Sequence, residues 1–152
     1  KKDGNLKWDF KKGKPRFLKY IGYPGNYGMV PRTLLSKDSG GDGDPLDILL
    51  LGPPLKRGEV VSAKLIGVLK LSDDSEQDDK LIAVQFNSPL KKSDSIEELD
   101  ERFPGITQIL ELWFTNYKGN GKMKSNGFGD REEAERILNE ASDHFEKAAI
   151  QK

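Results

Sequence analysis

Residues 5–90 carry short apolar runs that are separated by glycine and proline. Alternating or continuous β-branched, aliphatic and aromatic positions predict an extended aromatic segment at 16–23 and strands at 46–51, 59–71 and 80–86. No run with helical spacing separates these segments. Strands that follow one another so closely are typical of a small antiparallel barrel, either closed or partly closed.

Helical spacing begins after residue 94. Ser95 and Glu98 have the spacing of a capping box and open a short helix, and Pro104 suits the first turn of a second one. Asp130 with Glu133 predicts the cap of a third helix. The predicted fold class is therefore α+β, a mainly β core with C-terminal helices packed on one side. Apolar stripes mark the second and third helices: Ile106, Ile109, Leu110, Trp113, Phe114 and Tyr117, then Ala134, Ile137, Leu138, Ala141, Phe145 and Ala148.

Length and composition narrow the class of protein. A chain of 152 residues favours a single domain, 1–152, with a core large enough to fold unaided. It has no cysteine, which excludes disulfides and thiolate metal sites and fits a reducing, cytoplasmic setting. Lys plus Arg equal Asp plus Glu at 25 each, so no overall field attracts nucleic acid or a membrane surface. No apolar stretch approaches the length of a bilayer span.

The start of the chain resembles a hairpin without its first strand. Residues 1–5 have the composition of a turn, and residues 6–10 have a short strand-like pattern. Because a hairpin turn needs a strand before it, we expect a further strand upstream of Lys1, and a targeting peptide can precede that strand.

Three carboxylates lie within six residues in DGDPLD at 42–47. Like charges repel by about 4 kcal/mol at 4 Å and an effective dielectric of 20. Asp42 and Asp44 point the same way in an extended chain, and a hard cation such as Mg²⁺ would make their crowding favourable. A solvated turn is an equally good interpretation of these residues alone. An EF-hand fits less well, because the twelfth position counted from Asp42 is Pro53 rather than Glu.

A second acidic segment, DDSEQDDK at 73–80, joins two predicted strands. Taken alone, this segment is typical of an exposed hairpin loop. If both acidic loops meet at one rim of a barrel, however, five or more carboxylates share a site, and that site needs more than one metal ion.

Four segments in this order, YPGNYG at 23–28, DGDPLD at 42–47, DDSEQDDK at 73–80 and YK at 117–118, resemble soluble, metal-dependent inorganic pyrophosphatases. The resemblance covers residues 16–120. It implies hydrolysis of pyrophosphate to two phosphates with several Mg²⁺ ions, which Mn²⁺ or Co²⁺ can replace, and a metal-bound hydroxide as nucleophile. It also implies a five-stranded, OB-like closed barrel and a homo-oligomer, either a hexamer or a dimer.

The resemblance assigns roles to the acidic residues. Asp42, Asp47 and Asp78 resemble the ligands of the tightest activating metal, and Asp47 would bridge to a second ion. Asp73, with Asp78, resembles the ligands of a metal that arrives with the substrate. Asp44 resembles the carboxylate that accepts a proton from the attacking water.

The remaining roles fall on aromatic and basic residues. By resemblance, Tyr27 forms a hydrogen bond in the nucleophile site, beside Tyr23, and Lys80 joins the catalytic group as a phosphate contact. Tyr117 and Lys118 are implied phosphate contacts.

Further cations complete the predicted site. Arg16 is the best candidate for an arginine of the family, and Lys122 or Lys124 can lean over the site. The family also has a Lys and a Glu on an earlier strand. Lys7 and Asp9 can stand in for this pair, but we expect it upstream of Lys1.

Two other functions remain as alternatives. An OB-type module that binds single-stranded nucleic acid predicts a basic groove, whereas the aromatic segments here alternate with acidic loops. A calcium-binding structural domain would not need Lys80 or Tyr117-Lys118. The only histidine, His144, lies on the predicted last helix, away from every motif, and is interpreted as a surface or packing residue.

Overall fold

The computed structural model describes residues 10–15, 17–36, 41, 43–73 and 76–150. These residues form a mixed α+β structure, which confirms the predicted class. The strands are β1 (Phe10–Lys11), β2 (Lys14–Pro15), β3 (Asn26–Met29), β4 (Asp47–Leu51), β5 (Ala63–Asp73), β6 (Glu76–Gln77), β7 (Lys80–Gln85) and β8 (Met123–Gly129). The helices are α1 (Ile96–Arg102), α2 (Ile106–Asn116) and α3 (Arg131–Ile150), with a 3₁₀ turn at Pro89–Lys92.

The main sheet has the strand order β3-β4-β7-β5, and β5 also pairs with β6 and with β8. All pairs are antiparallel except β4 and β7, which run parallel. β1 and β2 form a separate hairpin. Within the described residues no pairing joins β3 to β8, so closure into a five-stranded barrel stays a prediction.

The pairing of three strands places the acidic segments at one end of the sheet. Ile48 of β4 lies opposite Leu81 of β7, so the first residues of these parallel strands are neighbours. β5 runs antiparallel to β7, with Leu69 opposite Lys80, and it continues past the start of β7 to Asp73. The two acidic loops, far apart in sequence, are therefore brought to a common edge.

The core consists of two clusters that use alternate residues of the same strands. Leu49 and Ile82 pack with α1 and α2, whereas Leu46, Leu81 and Val68 pack with α3. Because successive strand residues point to opposite faces, α3 covers the face opposite to α1 and α2. The prediction that all helices pack on one side is therefore wrong: both faces of β4 and β7 are apolar, and each needs cover.

The predicted helix starts are confirmed for α1 and α3. The backbone N–H of Glu98 donates to Ser95 Oγ at 3.2 Å, and that of Glu133 donates to Asp130 Oδ1 at 2.8 Å. α2 begins at Ile106, after Gly105 in a left-handed conformation with φ of 93°. No helix among the described residues is long and apolar enough to span a membrane.

The extended segment predicted at 16–23 is not a strand where it is described, at 17–23. Its side chains and carbonyls contact α2 instead. The indole N–H of Trp113 donates to the carbonyl of Ile21 at 3.1 Å, and the Tyr20 ring packs edge-on against Trp113. The strand of this region is β3, which begins three residues after Tyr23. Arg16, and the strand-like pattern before Phe10, lie outside the described residues.

Gly67 offers a test of this packing. It lies at a bulge of β5, and a Cβ there would lie 2.7 Å from the carbonyl oxygen of Gly129 and against the Ile96 side chain. We expect Gly67→Ala to lower the free energy of unfolding by about 2 kcal/mol through overpacking. Urea denaturation measures this change. In the control Gly28→Ala, the nearest atom would be 4.0 Å away. A loss no larger than that of the control would contradict the prediction.

Candidate active site

A cavity of about 470 Å³ opens at the end of the sheet where β4 and β7 begin and β5 ends. It lies between the two acidic loops and the C-terminal end of α2. Its described lining contains most of the sequence-predicted site residues: Tyr23, Tyr27, Asp47, Asp73, Asp78, Lys80, Tyr117 and Lys118.

Alternating charges form a chain of contacts through this cavity. The Lys80 ammonium lies 2.7 Å from Asp47 Oδ2 and 2.5 Å from Asp78 Oδ1. The Lys118 ammonium lies 3.5 Å from Asp78 Oδ2 and 2.5 Å from Asp73 Oδ2. Asp78 thus contacts both lysines. The contacts join β4, the end of β5, the β6–β7 connection, β7 and the turn after α2.

Lys80 is the most deeply buried member, with 1% of its side chain exposed. Burial alone would lower the pKa of Lys80, but the negative charges of Asp47 and Asp78 and their hydrogen bonds raise it above its ordinary value. Lys80 is therefore a permanent cation at neutral pH, fixed between two carboxylates.

Lys118 is more accessible, with 21% of its side chain exposed. Burial again opposes the charge, but hydrogen bonding to Asp73 and the negative charge of Asp78 raise the pKa of Lys118 above its ordinary value. Its ammonium also lies 5.5 Å from the centre of the Tyr117 ring, within the range of a cation–π contact.

An aromatic cluster packs beside these charged groups. The rings of Tyr23 and Tyr27 stack 4.4 Å apart, and those of Trp113 and Tyr117 stack 4.8 Å apart. Tyr23 also packs on Trp113, so the two stacks are joined. These rings are rigid and apolar, and they limit water access to one side of the charges.

The Tyr27 hydroxyl contacts the acidic chain by donating to Asp47 Oδ2 at 2.5 Å. Burial, followed by the charge of Asp47 and this hydrogen bond, raises the pKa of Tyr27 well above its ordinary value. Tyr27 therefore stays protonated and acts as a donor that holds the Asp47 carboxylate in place.

The donor set suits hard cations. Four carboxylates (Asp47, Asp73, Glu76 and Asp78) and two ammonium groups line the described cavity, which leaves a formal charge of −2. Within the described ranges no three histidine, aspartate or glutamate side chains are grouped closely enough to hold a metal ion by themselves. This arrangement fits Mg²⁺, which is typically bound by one or two carboxylates and completes its shell with water and phosphate oxygens.

The described lining does not account for every predicted site residue. Asp42 and Arg16 lie outside the described residues, as do Lys7 and Asp9. Asp44 is exposed in the turn before β4, and its carbonyl accepts a hydrogen bond from the Leu35 N–H at 2.9 Å. Their roles stay predictions.

The cavity also contains residues that the sequence did not single out. Glu76 and Gln77 of β6 line it, as does Leu18 of the segment along α2. Glu76 belongs to the acidic segment 73–80, so its charge could have identified it as a candidate site residue. Leu18 had no such signal, because only the packing of its segment on α2 brings it there. Lys122 and Lys124 are exposed and do not line the described cavity.

Comparison with known proteins adds an independent observation. The family model described as inorganic pyrophosphatase matches residues 2–146. The inorganic pyrophosphatase of Drosophila melanogaster is 38% identical over 126 residues, which cover 74% of this chain and 37% of that protein. The inorganic pyrophosphatase of Debaryomyces hansenii is 34% identical over 158 residues, 91% of this chain and 55% of that protein. The chain thus spans between about a third and just over half of these curated relatives.

The fold is similar as well. An N-terminally truncated vacuolar soluble pyrophosphatase from Trypanosoma cruzi, solved in complex with PPi, matches with a TM-score of 0.87 and 31% identity. The match covers 95% of this chain and 60% of that one. A family model that matches nearly the whole sequence, together with these relatives, shows that the chain belongs to the inorganic pyrophosphatase family.

Proposed function

We propose that this chain hydrolyses pyrophosphate to two phosphates with the help of Mg²⁺ ions. One observation carries the proposal: Asp47, Asp73 and Asp78 lie with Lys80 and Lys118 around one cavity, although they come from three separate parts of the sequence. Membership of the inorganic pyrophosphatase family supports the same substrate. Pyrophosphate is a small polyanion, so a site rich in carboxylates binds it only through cations.

In this proposal the carboxylates hold the metal. Asp47 and Asp78, with Asp42, hold the tightest ion, and Asp73 with Asp78 holds an ion that accompanies the substrate. Bound Mg²⁺ supplies charge neutralisation and lowers the pKa of a coordinated water. Tyr27 keeps Asp47 in position through the hydrogen bond to Oδ2.

The other residues bind the diphosphate and move a proton. Asp44 accepts the proton of the attacking water, which requires reach rather than unusual basicity. Lys118, Tyr117 and Arg16 hold the phosphate groups, so that the negative charge of the leaving phosphate is neutralised. Tyr23 and Tyr27 form the neutral wall against which the substrate lies.

The nucleic-acid alternative is weakened by the charge of the site. A groove for single strands needs excess positive charge along its length. The described lining instead has a formal charge of −2, and its aromatic rings stack on one another.

The proposal also includes closure of the sheet into a five-stranded barrel, assembly into a hexamer or dimer, and a cytoplasmic location.

The first prediction from this proposal concerns metal dependence and Asp78. Phosphate release from pyrophosphate should require Mg²⁺, and Asp78→Asn should lower kcat by about 100-fold or more, because it removes a charge that both proposed ions share. The matched control is Asp143→Asn on the exposed side of α3, which should keep full activity. Turnover that persists in EDTA would refute the metal requirement.

The second prediction concerns Asp44. If it accepts the proton, Asp44→Asn should lower kcat by about 100-fold or more while KM for pyrophosphate changes little. Steady-state kinetics at saturating Mg²⁺ measures both constants, and circular dichroism checks that the variant is folded. Undiminished turnover would remove Asp44 from this role.

The third prediction concerns the buried charge of Lys80. Lys80→Met keeps most of the volume but removes the cation nearest to Asp47 and Asp78, and Asp78 keeps only its longer contact to Lys118. Removing one partner of a buried pair costs about 3–5 kcal/mol, and partial exposure of both carboxylates should reduce this to about 2–3 kcal/mol. Urea denaturation tests it, with exposed Lys92→Met as control.

The pH dependence of that loss follows from the pKa of Lys80. Folding raises the pKa of Lys80 above its unfolded value of about 10.4. The charged Lys80 therefore stabilises the fold fully below that pH, and this stabilisation is lost as pH rises through the pKa of Lys80 in the folded protein. The difference in free energy of unfolding between wild type and Lys80→Met should therefore become smaller only in strongly alkaline solution. A difference that already disappears at neutral pH would contradict the charge pairing.

A further inference from the structure

The two lysines of the cavity differ in how firmly they are held. Lys80 lies in β7, a central strand, and only 1% of its side chain is exposed. Lys118 lies two residues after the end of α2, in a turn that contains Gly119 and Gly121, and 21% of its side chain is exposed. A lysine side chain in such a turn can change its partner without disturbing a strand, since its ammonium is a compact charge on a flexible stem.

Lys118 occupies oxygens that a metal ion would use. Its ammonium lies 2.5 Å from Asp73 Oδ2 and 3.5 Å from Asp78 Oδ2. The other oxygen of Asp78, Oδ1, contacts Lys80. A cation held by Asp73 and Asp78 would therefore compete with the Lys118 ammonium for these two carboxylates, because two cations so close together repel each other.

Other groups near Lys118 provide places for its charge after such a displacement. The Tyr117 ring lies 5.5 Å from the ammonium, and both residues line the cavity in which we place pyrophosphate. Lys80, by contrast, is enclosed between Asp47 and Asp78 and would lose both partners if it moved.

We infer that Lys118 is an exchangeable counter-ion, which neutralises Asp73 and Asp78 until a divalent ion takes these carboxylates and then transfers its ammonium to the diphosphate. Lys80 is the permanent counter-ion of the same site. This inference rests on the proposed function. It links substrate binding to metal binding, because the same ion that neutralises the carboxylates releases the lysine for the phosphate.

The test measures Mn²⁺ binding to the full chain by the electron paramagnetic resonance signal of free Mn²⁺. The titration is done without pyrophosphate and is carried beyond saturation of the tightest ion, so that the weaker ion of Asp73 and Asp78 is measured as well. Lys118→Met removes the competing charge, so the ion bound by Asp73 and Asp78 should bind about tenfold more tightly than in the wild type. Lys118→Arg keeps the charge and should stay near the wild-type affinity. The control Lys92→Met makes the same change of net charge on the 3₁₀ turn after β7, at the far end of that strand from Lys80.

A double variant locates the effect. In an Asp73→Asn background the contact at 2.5 Å is lost, so adding Lys118→Met should improve Mn²⁺ affinity much less than it does in the wild type. Steady-state kinetics adds a second readout: Lys118→Met should lower the Mg²⁺ concentration for half-maximal activity and raise KM for pyrophosphate. A purely structural role for Lys118 would not move these two constants in opposite directions.

The outcomes separate the two proposals. If Lys118→Met binds Mn²⁺ no more tightly than Lys92→Met, the exchange is refuted while the pyrophosphatase function stands. If neither wild type nor variants bind Mn²⁺, the metal site itself is wrong, and the exchange falls with it. The exchange is supported if Lys118→Met binds Mn²⁺ more tightly than the wild type while Lys92→Met does not, and if the gain in affinity from Lys118→Met is smaller in the Asp73→Asn background.

Discussion

The pairing of the buried Lys80 ammonium with Asp47 and Asp78 is the interaction on which the rest of the site depends. Burying an unpaired ammonium costs several kcal/mol, so the strand that carries Lys80 is tolerated only where both carboxylates meet it. The parallel register of β4 and β7 satisfies this condition by placing Asp47 next to Lys80. A slip by one residue would turn Lys80 to the opposite face, so the charge pairing and the register specify each other.

The aromatic cluster packs beside these ion pairs and strengthens the interaction between their charges. Trp113 joins α2 to the segment before β3 through its hydrogen bond to Ile21, and its ring packs on both Tyr23 and Tyr117. Where these rings cover the charged groups, the local dielectric is lower than in water, which strengthens the neighbouring ion pairs and hydrogen bonds. The hydrogen bond from Tyr27 to Asp47 is the direct link between the rings and the ion pairs. Charge and packing thus support the same geometry.

Strong local signals were sufficient for much of the fold. The continuous apolar run of β4, the aliphatic pattern of β7 and the caps at Ser95 and Asp130 identified their elements, because each is decided by neighbours in sequence. Local reasoning failed where distant partners decide. The segment 17–23 has the aromatic content of a strand, but Trp113 holds it along α2.

The strand β8 shows the converse failure. It contains Asn and two glycines and has weak strand propensity, yet it pairs with β5 from Val68 to Asp73. The placement of the helices also depended on distant partners. Apolar residues on both faces of β4 and β7 require cover on each face, and periodicity along α3 does not reveal which face it covers.

For the site, the sequence by itself determined which segments are acidic, and the resemblance to a family indicated which tyrosines and lysines to expect beside them. Residue identity and spacing are local properties, and the sequence gives them directly. Only the tertiary structure decided which carboxylate faces which lysine, that Lys80 is enclosed while Lys118 is accessible, and that Glu76 and Leu18 also line the cavity. Those facts depend on strand register and on packing between distant segments, which are set by the whole fold rather than by any single stretch of it.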